Sequence, residues 1–508
     1  MNLTQRAVHG LKWQYGGTAL QAALQFLIGV ILARLLSPEA FGLVGIALLT
    51  VGFGRLLGDL GFGVAIIQRP SVTQHHIRAA FTGSVAMGLL LFGGLWCLAP
   101  AISRVFMQSP LVPILRSIAI GFVFSGMSAI PISLLRRDLR FRALASMETA
   151  SYLLGYGGAG VPLAVLGCGV WSLVSANVLQ QLSLAILAVS LAKQPLRPYF
   201  AVQEFHDLAG VASSEVLNNV TNHIAENFDF FVIGKWLGAS ALGLYSRSYY
   251  LMGLPVSHFR GALLRVMFPL YSTIQEDIPR LGQAYLRTVS LTALVTMPVL
   301  FAMAATPRVV LGGLFGEPWK GAAGALQILC LTGPLWAILC VGGALSHALG
   351  HVFLEWRRQV IYLMIVAVAV WFLLPLGVTG VALAAAFATL IRYLLIAQLA
   401  IRLARLSWKG FFRAQIPGYV LGVTVSATAF LASSLGDVFG ISEPLQLFII
   451  TAACLVSLGI SLGLFPASLL GELYPWANET LKMNFSRWIR ETVAAKMFPT
   501  RTKTARAK

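Results

Sequence analysis

The amino-acid sequence predicts an all-α polytopic membrane protein of about fourteen transmembrane helices, from its hydropathy, the spacing of its apolar blocks and the charge between them. Of 508 residues, 57% are apolar and only 11% charged, and the mean hydropathy is +0.80. Soluble proteins carry roughly 25% charged residues. This chain therefore needs lipid as its solvent, and spans of about 20 apolar residues use up nearly all of its length. A net charge of +19 in a soluble chain would suggest nucleic acid. Here the lysines and arginines sit between apolar blocks and in a basic tail, where they act as topology signals and lipid-headgroup contacts. No nucleic acid is implied as a partner. Five scattered cysteines, Cys97, Cys168, Cys330, Cys340 and Cys454, read as small core residues rather than a disulfide or metal framework.

Apolar blocks punctuated by Gly, Pro and charge place the first six spans at 13–34, 40–66, 80–103, 111–134, 144–166 and 169–192. Six more fall at 208–236, 241–269, 284–312, 322–348, 356–375 and 379–401, and the last two at 415–435 and 445–468. Arg6 and Lys12 precede the first run without a cleavage signal, so it is expected to remain as a span. Successive loops should alternate between rich and poor in Lys and Arg. One set, from Arg6 through Arg69, Arg136, Lys193, Arg280, Arg357 and Arg402 to the tail, holds 26 of the 37 basic residues. The opposite set holds five: Arg34, Arg104, Lys235, Arg308 and Lys320. Both termini are expected in the cytoplasm.

The chain also repeats itself. LARLLSPEAFGL at 32–43 aligns with IGKWLGASALGL at 233–244, matching Leu36 to Leu237, Ala40 to Ala241, Gly42 to Gly243 and Leu43 to Leu244. Farther on, the tight loop at Leu166-Gly-Cys-Gly-Val recurs as Leu376-Gly-Val-Thr-Gly-Val. The expected domains are an N-lobe at 1–205 with spans 1–6, a C-lobe at 206–410 with spans 7–12, spans 13 and 14 at 411–471, and a basic cytoplasmic tail at 472–508. Six spans per half give the two repeats the same orientation, the parallel kind of transporter duplication.

Ten ionisable residues fall inside the predicted spans: Arg55, Asp59, Arg116, Glu148, Glu215, Glu226, Asp229, Arg247, Arg260 and Arg392. At about 2.5 to 3.5 kcal/mol each, facing all of them to lipid would cost on the order of 25 to 35 kcal/mol. They must face protein or water. In span seven, Glu215, Asn218, Asn219, Asn222, His223, Glu226 and Asp229 recur at three- and four-residue intervals, within an arc of about 140° at 100° per residue. Such a stripe is either a seam hydrogen-bonded to neighbouring helices or the wall of a water-filled cavity, and seven polar side chains favour the wall. Arg55 and Asp59, four residues apart, form either a neutralised structural pair or a cavity-lining pair. In span eight Arg247, His258 and Arg265 share a helical face, which Pro255 can shift by a kink. Arginines around a cavity suit a phosphate, which a guanidinium grips through two hydrogen bonds, whereas Arg265 and Arg392 can also snorkel to headgroups.

Other motifs dissolve. Gly155, Gly157 and Gly160 spell GxGxxG, but inside an apolar helix they mean close helix packing rather than a dinucleotide. No GxxxxGK[ST] occurs, which excludes ATP hydrolysis by a P-loop. His75 and His76 read as loop residues near headgroups. Residues 473–508, with aromatics among eight basic residues, read as an interfacial amphipathic helix or a solvated tail.

Two segments carry a resemblance. ILARLLSPEAFGLVGIALL with LGDLGFGVAIIQRP, and NFDFFVIGKWLGASALGLYSRSYYL with FPLYSTIQED, resemble the polysaccharide transporter, or oligosaccharide flippase, branch of the MOP flippase superfamily, particularly its colanic-acid-exporter-like, Wzx-type members. The similarity runs through most of the first 400 residues. It implies two six-helix lobes around a central cavity that alternates between inward and outward openings. The implied cargo is an undecaprenyl-pyrophosphate-linked oligosaccharide, carried across the bacterial inner membrane for exopolysaccharide or lipopolysaccharide synthesis. Arg55, Arg116, Arg247 and Arg265 would then hold the phosphates, with His258 on the same face, while Asn218, Asn222, Glu226 and Asp229 would meet sugar hydroxyls. No cofactor is expected. Asp59, Glu226 or Asp229 can bind a proton or Na⁺ if transport is ion-coupled. Membrane lipids and the polysaccharide polymerase and export machinery are the implied partners. Two alternatives stay open: a multidrug or cation antiporter of the same superfamily, which would favour an acidic cavity, and a membrane glycosyltransferase or polymerase, which would need catalytic carboxylates in a substantial external loop.

Overall fold

A computed structural model of the chain describes residues 3–58, 62–69, 72–192, 199 and 213–464, with side chains at all of these except 3–16, 18, 19, 57, 58, 64, 68, 213–220, 258, 262, 265 and 464. Among the described residues there is no strand. That follows from the solvent, because in lipid the backbone must satisfy its own hydrogen bonds and a helix does so within one segment. The helices are α1 (Leu3–Leu35), α2 (Pro38–Gly58), α3 (Phe62–Gln68), α4 (Gln74–Phe106), α5 (Leu111–Arg137) and α6 (Phe141–Tyr152). Next come α7 (Val161–Val165), α8 (Val170–Ala192), α9 (Ser213–Val232), α10 (Gly238–Thr273), α11 (Ile278–Ala305) and α12 (Pro307–Leu314). The last are α13 (Ala323–Ala348), α14 (Val352–Leu373), α15 (Gly377–Leu403), α16 (Trp408–Val438) and α17 (Glu443–Leu464). Wider π-helical turns at Leu153–Gly160 and Ile233–Leu237 continue α6 into α7 and lead α9 toward α10. Wherever its residues are described, each predicted span falls mainly on helix, and the chain is a polytopic helical membrane protein. Among the described residues nine helical stretches are long and apolar enough to cross a bilayer, one of them, Val352–Leu403, holding both α14 and α15. The stripe of α9 keeps that helix off the hydropathy criterion.

The chain divides into two compact units: Met1–Ser246 with Leu314–Trp319 and Val370–Val381, and Arg247–Gly313 with Lys320–Ala369 and Ala382–Lys508. The division falls inside α10, beyond the 205/206 junction read from the repeat.

In the first unit α5 is the hub, packing against α2, α3, α4, α6 and α8. Glycines bring α4 and α5 together: a Cβ on Gly88 would lie 2.5 Å from the Phe122 carbonyl oxygen, and one on Gly126 would strike the Ser84 carbonyl. Gly155 and Gly160 likewise seat against Ala176 of α8, which is the packing role read from GxGxxG. The repeat is visible as a reciprocal junction. Gly42 abuts the backbone of Ala239, while Gly243 abuts the backbone of Pro38, and these are equivalent contacts under the offset of the repeat. Phe106 packs on Phe231, 5.4 Å between ring centroids, as Trp319 packs on Phe41 at the same distance. The Trp319 indole N–H donates to the Ala33 carbonyl at 2.8 Å. Such two-way contact is what a duplicated unit meeting its own copy produces. At the second matched segment Gly167 and Gly377 have φ of 77° and 68°, a region that glycine enters without steric cost, Gly167 in a turn and Gly377 at the start of α15.

In the second unit α11 packs against α13 and α16, and α16 against α17. Its core holds Tyr271, Tyr285, Tyr393 and Phe411, with the Tyr393 hydroxyl donating to Gln415 Oε1 at 2.9 Å. Lys320 pairs with Glu443 at 2.5 Å beside Gly312.

His75 and His76 are in the first turn of α4, not a loop. The His76 ring closes a capping box with Thr73, and His75 packs on Tyr199 with ring centroids 5.0 Å apart. Residues 473–508 lie outside the described residues.

Candidate functional site

The first unit forms a partly open cavity of about 460 Å³ bounded by α2, α3, α4, α5 and α8. Its chemistry comes from Arg55 of α2, Arg136 of α5, serines of α4 and α5, and Gln181 of α8. The close approach of α4 and α5 at Gly88 and Gly126 sets one wall. Arg55 arrives from α2, and Gly54 beside it leaves room for the Phe122 ring, whose tip a Cβ there would strike. Ser128 and Ser133 donate to the carbonyls of Ser125 and Ala129 at 3.1 and 3.0 Å, which leaves their oxygens able to accept from a ligand. At one end of the cavity Arg137 caps α3, donating to the carbonyls of Ile66 and Arg69, the latter at 2.7 Å.

Both cavity arginines are exposed, and among the described residues neither donates a hydrogen bond to a protein acceptor. Among the described residues no carboxylate lines the cavity, and Glu148 of α6 interacts electrostatically with Arg136. A chamber with two guanidinium groups and hydroxyls suits an anion that accepts several hydrogen bonds, such as a phosphate or pyrophosphate.

The structure distributes the other sequence-predicted residues. Asp59 lies outside the described residues, and so do the side chains of Asn218, His258 and Arg265. Arg116 lies 5.1 Å from the ring centre of Trp96 and does not line the cavity. On α9, Asn222 is half-buried, Glu226 is exposed and Asp229 is buried. Asp229 accepts from the Tyr245 hydroxyl at 2.5 Å and from the Phe230 N–H at 2.9 Å, so both its oxygens are engaged within the protein. α2 and α9 run antiparallel: Gly42 lies beside Ala239, Ile46 beside Gly234 and Gly52 beside His223. Arg55, one turn past Gly52, therefore sits at the level of residues 219–220 along α9.

In the second unit Arg247 lies over the ring of Tyr250 at 5.3 Å, Arg260 over Trp336 at 5.6 Å and Arg392 over Tyr362 at 4.9 Å. Each gains cation–π stabilisation from the ring.

Arg136, Ser84, Gln181 and the α5 serines are additions that the sequence reading missed. A signal was present: Ser125, Ser128, Ser133 and Arg136 fall within an arc of about 140° on one helix.

Known proteins share this architecture. The structure titled lipid II flippase MurJ, inward closed conformation, superposes with a TM-score of 0.69 at 15% identity over 88% of this chain and 98% of that one, and so has the same fold. Teichuronic acid biosynthesis protein TuaB of Bacillus subtilis (strain 168) is 24% identical over 455 residues, 89% of this chain and 94% of TuaB. Lipopolysaccharide biosynthesis protein WzxC of Escherichia coli (strain K12) is 23% identical over 371 residues, 71% of this chain and 73% of WzxC. The family described as "Polysaccharide biosynthesis protein" matches residues 31–324, more than half of the chain, and the protein belongs to that family.

Proposed function

We propose that the protein is a flippase that moves a polyprenyl-pyrophosphate-linked oligosaccharide across the bacterial inner membrane by alternating access, for exopolysaccharide or lipopolysaccharide synthesis. The observation that carries this reading is the cavity of the first unit, where Arg55 and Arg136 stand among hydroxyls with no carboxylate among the described lining residues. Family membership and the names of TuaB and WzxC support a polysaccharide precursor as cargo, and the fold shared with MurJ supports a lipid-linked one. In this role the chain transports rather than converts its substrate. The arginines hold the pyrophosphate, the serines and Gln181 meet phosphate oxygens or the first sugar, and Asn222 and Glu226 of α9 offer partners for sugar hydroxyls. Both termini face the cytoplasm, a polymerase takes up the product on the other side, and a proton or Na⁺ gradient drives the cycle.

An antiporter of cationic drugs is not favoured, because a positively charged chamber repels its cargo. Reconstitution in liposomes with a defined undecaprenyl-pyrophosphate-linked oligosaccharide, with and without imposed pH and Na⁺ gradients, tests the proposal. Movement of the labelled lipid to the opposite leaflet is expected. No movement under any gradient, together with uptake of a cationic dye, would replace this reading with the antiporter.

A further inference from the structure

One buried contact between α2 and α9 carries an ionisable ring that the transport reading does not use. The edge of the His223 imidazole lies flat on the backbone of α2: a Cβ at Gly52 would stand 2.8 Å from both Cε1 and Nε2. Phe53 packs edge-on against the same ring, 4.8 Å between centroids and 88° between planes. On the other side Nδ1 is 3.3 Å from Asn227 Nδ2, which also donates to the His223 carbonyl at 2.9 Å. Nε2 is buried and has no hydrogen-bond partner. With Nδ1 accepting from the Asn227 amide, the neutral ring carries its hydrogen on Nε2, against α2.

We infer that His223 is a proton-binding site that holds α9 on α2 only while its imidazole is neutral. An imidazolium is a donor at both nitrogens. Its Nδ1–H would meet the Asn227 amide hydrogens, and its Nε2–H would point at the backbone of α2, where it has no acceptor. Confining a charge in that way costs several kcal/mol. The charged groups nearby act in one direction. On its own helix the exposed Glu226 interacts electrostatically with the ring from outside the contact, and on α2 the like-charged Arg55 is one turn past Gly52. Asp59, the other ionisable residue at that end of α2, lies outside the described residues. A protonated ring thus gains by leaving Gly52 for Glu226 and water, which loosens α9 from α2 beside Arg55. Its consequence for transport rests on the proposed flippase reading: proton uptake at His223 would change the helix contact next to the anion site.

The test is amide hydrogen exchange of the full chain in lipid nanodiscs, corrected for intrinsic rates. It compares about pH 8 with about pH 5.5, a range across which an imidazole gains its proton. Protection of residues 221–232 should fall at least about tenfold at the lower pH in the wild type, the change that one unit of linked titration produces. His223→Gln, which cannot take a proton, should keep its protection at both pH values. Unchanged protection in the wild type, or an equal loss in His223→Gln, overturns the inference. Should that variant fail to insert, pair labelling that singles out Asn222–His223 follows the wild-type ring by NMR. Ring protonation in step with the loss of protection supports the inference, and either one without the other overturns it. Failure of the liposome assay to show flipping would remove the transport reading while leaving the exchange result standing.

Discussion

In the first unit Arg55 and Arg136 face an open chamber with serine hydroxyls and, among the described residues, no lining carboxylate, whereas in the second unit Arg247, Arg260 and Arg392 each lie over an aromatic ring. A guanidinium over a ring face has part of its desolvation offset by the quadrupole, and its orientation is fixed by packing. One that meets only hydroxyls and space keeps its hydrogen-bond donors available to a ligand. An arginine within a membrane-spanning helix is costly in both places. The difference shows where that cost serves the fold and where it serves a site.

The largest expected effect tests the open pair. Replacing Arg55 and Arg136 together with Ala should reduce flipping of the lipid-linked oligosaccharide by more than about a hundredfold, since each charged hydrogen bond to a phosphate contributes about 1.5 to 3 kcal/mol. Membrane insertion and Tm should be unchanged or improved, because no internal bond is lost. Flipping within a factor of two of wild type would remove the pair from the site.

A smaller effect separates the two carboxylates of α9. Tyr245→Phe removes the donor to buried Asp229 and should lower stability by about 1 to 3 kcal/mol, read as a fall in Tm. Glu226→Gln, at an exposed position, should leave Tm unchanged. Equal shifts for both would mean that the stripe is a uniform seam.

The smallest effect belongs to the stacked arginines. Arg260→Met keeps most of the apolar contact with Trp336 and forfeits an attraction of about 0.5 to 1 kcal/mol. Tm should fall slightly, and flipping should stay within about threefold. A loss of flipping as deep as that of the Arg55 and Arg136 variant would erase the distinction between the two sets.

Hydropathy made the fold legible, because a helix in lipid needs only an apolar run of the right length. Gly42 and Gly243, matched in sequence as a repeat, both make close backbone contacts that leave no room for a side chain, which is why glycine stands at each. Arg55 could be read as a site residue because a charge inside an apolar run stands out. Arg136 could not: it sits in a basic cluster that reads as a loop between spans, yet α5 extends to Arg137 and carries it to the cavity. Serines that bond to their own helix barely change hydropathy, so Ser128 and Ser133 left only a weak signal on the face of α5. The commitment of Asp229 to Tyr245 depends on a contact between two helices and had no trace in the spacing of α9.

The most direct test of the central claim is the affinity of the purified chain for an undecaprenyl-pyrophosphate-linked sugar. It is measured in nanodiscs against the monophosphate and the uncharged alcohol, in the wild type and in the Arg55→Ala, Arg136→Ala variant. The cavity predicts tightest binding for the pyrophosphate, weaker binding for the monophosphate, and loss of that preference when both arginines are removed. Equal affinity for the charged and uncharged lipids, or a preference that survives without Arg55 and Arg136, would contradict it.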